Sequence, residues 1–208
     1  AAVFFEGETE EQTLPILAEA YWGCSIHELG FSFVRVGSNS NYFPFIWLAE
    51  SLDIPWYVFS DGEAETITHL GRALHKSGKA TPDACPEVFV IPGGRNFERQ
   101  LVAEGYLPEI EATFNEVEGK AAFLDDYIAR MNGKTGKKGV IRDYTVVGGR
   151  LKAVCDAMSE SKTRMAEPLA TSLSAIADEA RRFPSSIRAL FAKISADYGL
   201  TQAGKEES

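Results

Sequence analysis

The feature that most restricts this chain is a change of period within its first 92 residues. Short apolar or β-branched runs, each closed by glycine, proline or an acid, alternate with segments of helical spacing. The runs are residues 1–5, FSFVRVG (31–37), PWYVFSD (55–61) and EVFVIPGG (87–94). Between them, Glu8 to Tyr21 puts Leu14, Leu17, Ala18 and Tyr21 on one helical face. YFPFIWLAESL (42–52) suits an amphipathic helix with Pro44 in its first turn, and Ala64 to Lys76 also reads as helix. Strand–helix alternation of this length predicts an α/β fold built on a parallel sheet. From about Phe97 the strand signal ends. Residues 97–117 and 120–131 keep helical spacing, residues 132–143 form a glycine- and lysine-rich loop, and residues 151–195 read as two helices separated by Pro184. The expected plan is a sheet domain over 1–96, a helical region over 97–200 and a disordered tail over 201–208.

Charge narrows the function. The formal net charge is −9, but it is unevenly placed. Residues 1–66 hold 11 Asp and Glu against one base, Arg35; the remaining residues hold 19 acids and 20 bases. Acidity confined to one third of a chain either stays hydrated or holds cations. Cys24, Cys85 and Cys155 lie far apart, and His27, His69 and His75 form no ligand motif, so neither zinc nor a disulfide framework is expected. No apolar run approaches the roughly 20 residues needed to span a bilayer, and there is no basic-then-apolar leader pattern. A reduced, cytoplasmic protein is the expectation.

In a parallel α/β sheet, ligands gather outside the carboxyl ends of the strands. Glu6 closes the first run, and Glu10 follows four residues later. Asp61 closes the third run, and Gly62 and Glu63 follow it. If those two strands are neighbours, Glu6, Glu10, Asp61 and Glu63 converge. Carboxylates that close repel one another unless a cation neutralises them, and an all-oxygen set suits Mg²⁺ or Mn²⁺ rather than zinc. Taken singly, acids at helix starts need do no more than complement the helix dipole. Glu98, after the fourth run, is a further ligand candidate or another such first-turn acid. GSNSN (37–41) either offers backbone N–H groups to a phosphate or simply caps a helix.

These segments carry a family resemblance. VFFEGETEEQTLPILAE, RVGSNSNYFPFIWLAESLDIPWYVFSDGEAET and the helical segment around Lys162 resemble the C-terminal nuclease region of OLD (overcoming lysogenization defect) family proteins, which has the Rossmann-like Toprim fold. The resemblance implies a two-metal DNA endonuclease that takes two Mg²⁺ or Mn²⁺ ions. Glu6 and Glu10 match the family's paired glutamates. Asp61 and Glu63 match its DxD, with glutamate here in the last place. A lysine at the position of Lys162, beside Arg164, is implied to serve catalysis together with Glu6 and Asp61; otherwise it is an ordinary surface lysine. Full-length OLD proteins also carry an N-terminal ABC-type ATPase, which is an implied partner region.

For DNA, the window from Arg130 to Lys152 has seven bases against one acid, Asp143. Lys134, Lys137, Lys138 and Arg142 are the expected backbone contacts, since phosphate contact dominates affinity. A hydrated basic loop is the plainer alternative. The GKT at 133–135 is no P-loop, because the required glycine five residues earlier is Ile128, so no ATP site is expected. Two other readings of the whole remain: a phosphohydrolase using Asp61 as nucleophile, and a non-catalytic Toprim interaction module.

Overall fold

A computed structural model describes residues 1–38, 41–136 and 139–204. Asn39 and Ser40 of the GSNSN loop, two of the expected DNA contacts (Lys137 and Lys138) and residues 205–208 of the expected tail lie outside the described residues.

Four parallel strands form one sheet in the order β2-β1-β3-β4: β1 (Ala2–Phe5), β2 (Ser32–Arg35), β3 (Trp56–Ser60) and β4 (Val88–Val90). The crossovers are α1 (Glu8–Trp22), α2 (Tyr42–Ser51) and α3 (Ala64–Lys76). The two-residue period sorts the core onto two faces. Val3, Phe5, Tyr57 and Phe59 point to one side, where they join Leu14 and Leu17 of α1 in the larger buried cluster. Ala2, Phe4, Trp56 and Val58 point to the other, against Ile46 and Ala49 of α2 and Leu70 and Leu74 of α3. β1 and β3, the central strands, are buried on both faces, which explains why their runs read as continuously apolar, whereas the edge strands β2 and β4 are only partly buried.

The helices that follow are α4 (Phe97–Ala103), α5 (Leu107–Val117), α6 (Phe123–Met131), α7 (Gly149–Glu160), α8 (Lys162–Ser174) and α9 (Ser185–Tyr198). They build directly on the first sheet face: Met165 and Leu169 of α8 and Ile187 and Phe191 of α9 belong to the same cluster as Val3 and Phe5. Burying each such side chain contributes about 1.5–3 kcal/mol. This packing fixes α8 against α1. Two helices were expected over 151–195, and three elements occupy that stretch. The missed break is Ser161, whose φ of −120° and ψ of 22° end α7 and start α8 at Lys162. Neither glycine nor proline marks it, so periodicity alone ran through it. Likewise the helix expected over 97–117 is divided at Gly105, which takes a φ of 86°.

Candidate metal centre at the carboxyl ends of β1 and β3

β1 and β3 pair in parallel, so the residues that leave them emerge side by side. Glu6 follows β1 directly, and Asp61 follows β3. The hydroxyl of Ser60, the last residue of β3, donates to Glu6 Oε1 at 3.5 Å and ties the two strand ends together. Gly7 then serves as the N-cap of α1. A Cβ on Gly7 would come 1.8 Å from Glu10 Oε2, so the missing side chain is what lets the Glu10 carboxylate fold back over the turn. Glu10 is buried, in the first turn of α1.

The loop after β4 closes over Asp61. The Phe97 N–H donates to Asp61 Oδ1 at 3.0 Å, and the Gly62 N–H donates to the Arg95 carbonyl at 2.8 Å. A Cβ on Gly62 would meet the Ile91 carbonyl oxygen at 1.9 Å, so glycine is needed for this approach. Glu98, the second residue of α4, is only 3% exposed. Its Oε1 accepts a hydrogen bond from the Thr9 hydroxyl at 3.4 Å and lies 3.2 Å from Lys162 Nζ. Glu63 sits at the rim, with Oε1 3.7 Å from Arg99 Nη1.

Burial and like charge act together on these groups. The Asp61 carboxyl is pushed up to about 8, first by burial and then by the charges of Glu10, Glu98, Glu6 and Glu63. Glu10 rises to about 7 through burial and the Glu98 charge, against relief from its own backbone N–H and from Lys162. Glu6 rises to about 7 through burial, eased by the Ser60 hydroxyl that donates to it and by the nearby Tyr42 hydroxyl. Burial alone would lower the Lys162 ammonium, but Glu98, Glu10 and Asp61 together raise it. Among the described residues, no three Asp, Glu, His or Cys side chains are drawn into a ready-made metal cage. Their oxygens are instead held by Ser60, Thr9, Lys162 and the Phe97 N–H. The donor set is nonetheless all oxygen and short of positive charge, which is the chemistry a hard divalent cation satisfies.

Residues 1–62 match the family model described as "Overcoming lysogenization defect protein-like, TOPRIM domain". That match takes in β1, β2 and β3 and ends at Gly62, one residue past Asp61. Solved structures extend the likeness to nearly the whole chain. The C-terminal region of the Xanthomonas campestris pv. campestris OLD protein, phased with mercury, superposes with a TM-score of 0.67 at 18% identity, covering 95% of each chain. The C-terminal region of the Burkholderia pseudomallei OLD protein gives 0.61 at 22% identity, covering 95% of this chain and 97% of its own. At these identities the likeness establishes the fold. No protein of curated function matches the chain. The Toprim match contains Glu6, Glu10 and Asp61; Glu63, Glu98 and Lys162 lie beyond it and are placed by the geometry above.

Around the carboxylate centre, the remaining expected residues fall differently. Lys134 is exposed beside the short bridge between Thr135 and Ile141. Arg142 departs from the surface role expected of it: it is 7% exposed, paired with Glu160, and 3.9 Å from Asp156. A guanidinium so enclosed ties the residue after the Thr135–Ile141 bridge to α7 instead of standing free in solvent. Arg164 pairs with Glu118 at 3.1 Å. The sequence reading passed over Tyr42, Ser60 and Thr9. Tyr42 had the look of an apolar helix position, and it does bury completely, but its hydroxyl also donates to the Phe59 carbonyl at 3.4 Å and lies close enough to Glu6 to ease its rise. A cavity of about 510 Å³ beside Trp56 and Tyr57 opens at the amino end of β3, the opposite edge of the sheet from the carboxylates.

Proposed function

We propose that this chain is a divalent-metal-dependent DNA endonuclease, and that it is the nuclease region of a longer protein bearing an ABC-type ATPase. The observation that carries the reading is the junction of two paired strand ends, where burial and neighbouring carboxylates raise the proton affinity of Asp61 and Glu10 and a lysine from a distant helix reaches in to Glu98. Glu6, Glu10, Asp61, Glu63 and Glu98 would hold two Mg²⁺ or Mn²⁺ ions. Such ions supply Lewis-acid charge to a phosphate and a water acidic enough to attack it near neutral pH.

The chain's own groups do the rest. Ser60 orients the Glu6 carboxylate, and the Phe97 N–H orients Asp61. Lys162 keeps its proton, because three carboxylates favour the ammonium, and places that charge where a phosphate's developing negative charge needs a donor. The match to the OLD-like Toprim model, together with Glu6 and Asp61 directly after the first and third strands, supports this reading over phosphoryl transfer to Asp61.

The test is incubation of the purified chain with supercoiled plasmid in Mg²⁺, in Mn²⁺ or in EDTA, alongside Asp61→Ala. Nicked or linear product that requires both metal and Asp61 is the expected result. Equal cleavage by the variant would sink the proposal, and relaxed but closed circles would indicate a topoisomerase.

A further inference from the structure

Between α4 and α7 runs a groove of about 370 Å³, floored by Val102, Ala103, Leu151 and Cys155 and bordered by Arg99 and Lys152. Arg99 brings it up to the edge of the carboxylate centre. Arg99 follows Glu98 in sequence and lies 3.7 Å from Glu63, while the Cys155 thiol, pushed up mainly by burial, also feels the charges of both Arg99 and Glu98. Asp156 touches the groove too, but its carboxylate accepts the Tyr144 hydroxyl at 2.8 Å and faces Arg142. Lys152 forms no ion pair among the described residues; its ammonium lies 6.0 Å from the Tyr144 ring centre. At the far end, the turn before α7 exposes Val146 at 54% and Val147 at 106%. Helical rise puts the start of α7 about 9 Å from Cys155. Two exposed valines beside Lys152, with Arg99 at the other border paired only at the groove's rim with Glu63, form a surface of mixed apolar and positive character.

We propose that this groove seats a nucleic-acid strand as it leaves the carboxylate centre, with Arg99 and Lys152 on its phosphates and the Val146–Val147 turn against its sugars and bases. The inference rests on the nuclease reading for what occupies the centre. Its own support is the charge and composition of the groove. Cations for phosphates and apolar surface for sugar and base faces are the two contacts a strand offers together, and aliphatic side chains at an exposed turn are what proteins press into a minor groove. A second copy of the chain is the rival occupant, and its acidic first third suits Lys152 less well than a continuous line of phosphates does.

The measurement is fluorescence anisotropy of a labelled DNA duplex, in EDTA and in Ca²⁺, over a range of salt, for wild type, Lys152→Glu and Val147→Asp. Thermal melting checks that each variant is folded. Lys152→Glu should weaken binding about tenfold and lower the salt slope by about one. Val147→Asp should weaken it by a similar factor. Wild-type binding that neither substitution moves overturns the groove and leaves the metal centre standing. Groove-dependent binding without metal-dependent plasmid cleavage overturns the nuclease reading instead. Self-association lost in Val147→Asp, with DNA binding unchanged, would assign the surface to a second copy and overturn the proposal.

Discussion

Lys162 Nζ lies 3.2 Å from Glu98 Oε1, and the glutamate is buried while the lysine keeps 35% of its side chain in contact with solvent. The pair joins the first residue of α8 to the second residue of α4 beside the ends of β1 and β3. Lys162→Met should therefore do two separable things. It should reduce metal-dependent cleavage by about 10²–10³-fold, the usual cost of one charge-stabilising donor. It should also destabilise the fold by about 1–2 kcal/mol, since a buried carboxylate loses its partner but solvent reaches the site and screens it. Adding Glu98→Gln should restore stability in urea melts without restoring cleavage. Recovery of both would reduce Lys162 to a structural role.

The three raised carboxyls set a pH dependence. Glu6 and Glu10 stand at about 7 and Asp61 at about 8, all above the ordinary carboxylate range of an unfolded chain. Between roughly pH 4.5 and 8 the folded protein then binds more protons than the unfolded one, so stability falls as pH rises. With metal chelated, the melting temperature should drop from pH 5.5 to 8.5, and Mg²⁺ should recover more of it at the upper end, where the ligands are ionised. A flat or rising metal-free profile would mean that the carboxylates are better hydrated than their geometry indicates.

Glu6 and Asp61 were legible in the sequence because each stops an apolar run, and the parallel pairing of β1 with β3 brings the two stops together. Glu98 and Lys162 were each singled out, but their contact depends on α8 lying along α1, which no spacing within either segment encodes. Arg142 illustrates the opposite failure. Composition treats every base in a basic window alike, whereas the fold buries this one against Glu160 and leaves Lys134 and Lys152 outside. The break at Ser161 stayed hidden because it is made by backbone angles at an ordinary residue.

Two glycines at the centre should respond differently to the same added methyl group. In Gly62→Ala the new carbon meets the backbone carbonyl of Ile91, which cannot turn aside, so the β4–α4 loop must shift at a cost of about 1–3 kcal/mol. In Gly7→Ala it meets the end of the Glu10 side chain, which can swing away. Gly7→Ala should accordingly keep most of its thermal stability while its Mn²⁺ affinity, measured by calorimetry, falls. Equal loss of stability in the two variants would show that Glu10 is held more rigidly than a flexible side chain should be.

Asp61→Asn separates folding from function most cleanly. The amide oxygen can still accept the Phe97 N–H that Asp61 Oδ1 accepts at 3.0 Å, so the loop over the strand end keeps its anchor. What disappears is a charge crowded by Glu10, Glu98, Glu6 and Glu63. At pH 8 without metal the variant should therefore melt at a higher temperature than the wild type, with the gain shrinking toward pH 5, where the wild-type group is protonated anyway. Cleavage in Mg²⁺ or Mn²⁺ should be lost, because a neutral amide is a poor ligand for a hard cation. Sites built for chemistry commonly give up stability in this way. A variant that is less stable than wild type at pH 8 would instead show the Asp61 charge to be a net structural asset, and the crowding of carboxylates would then lose its functional explanation.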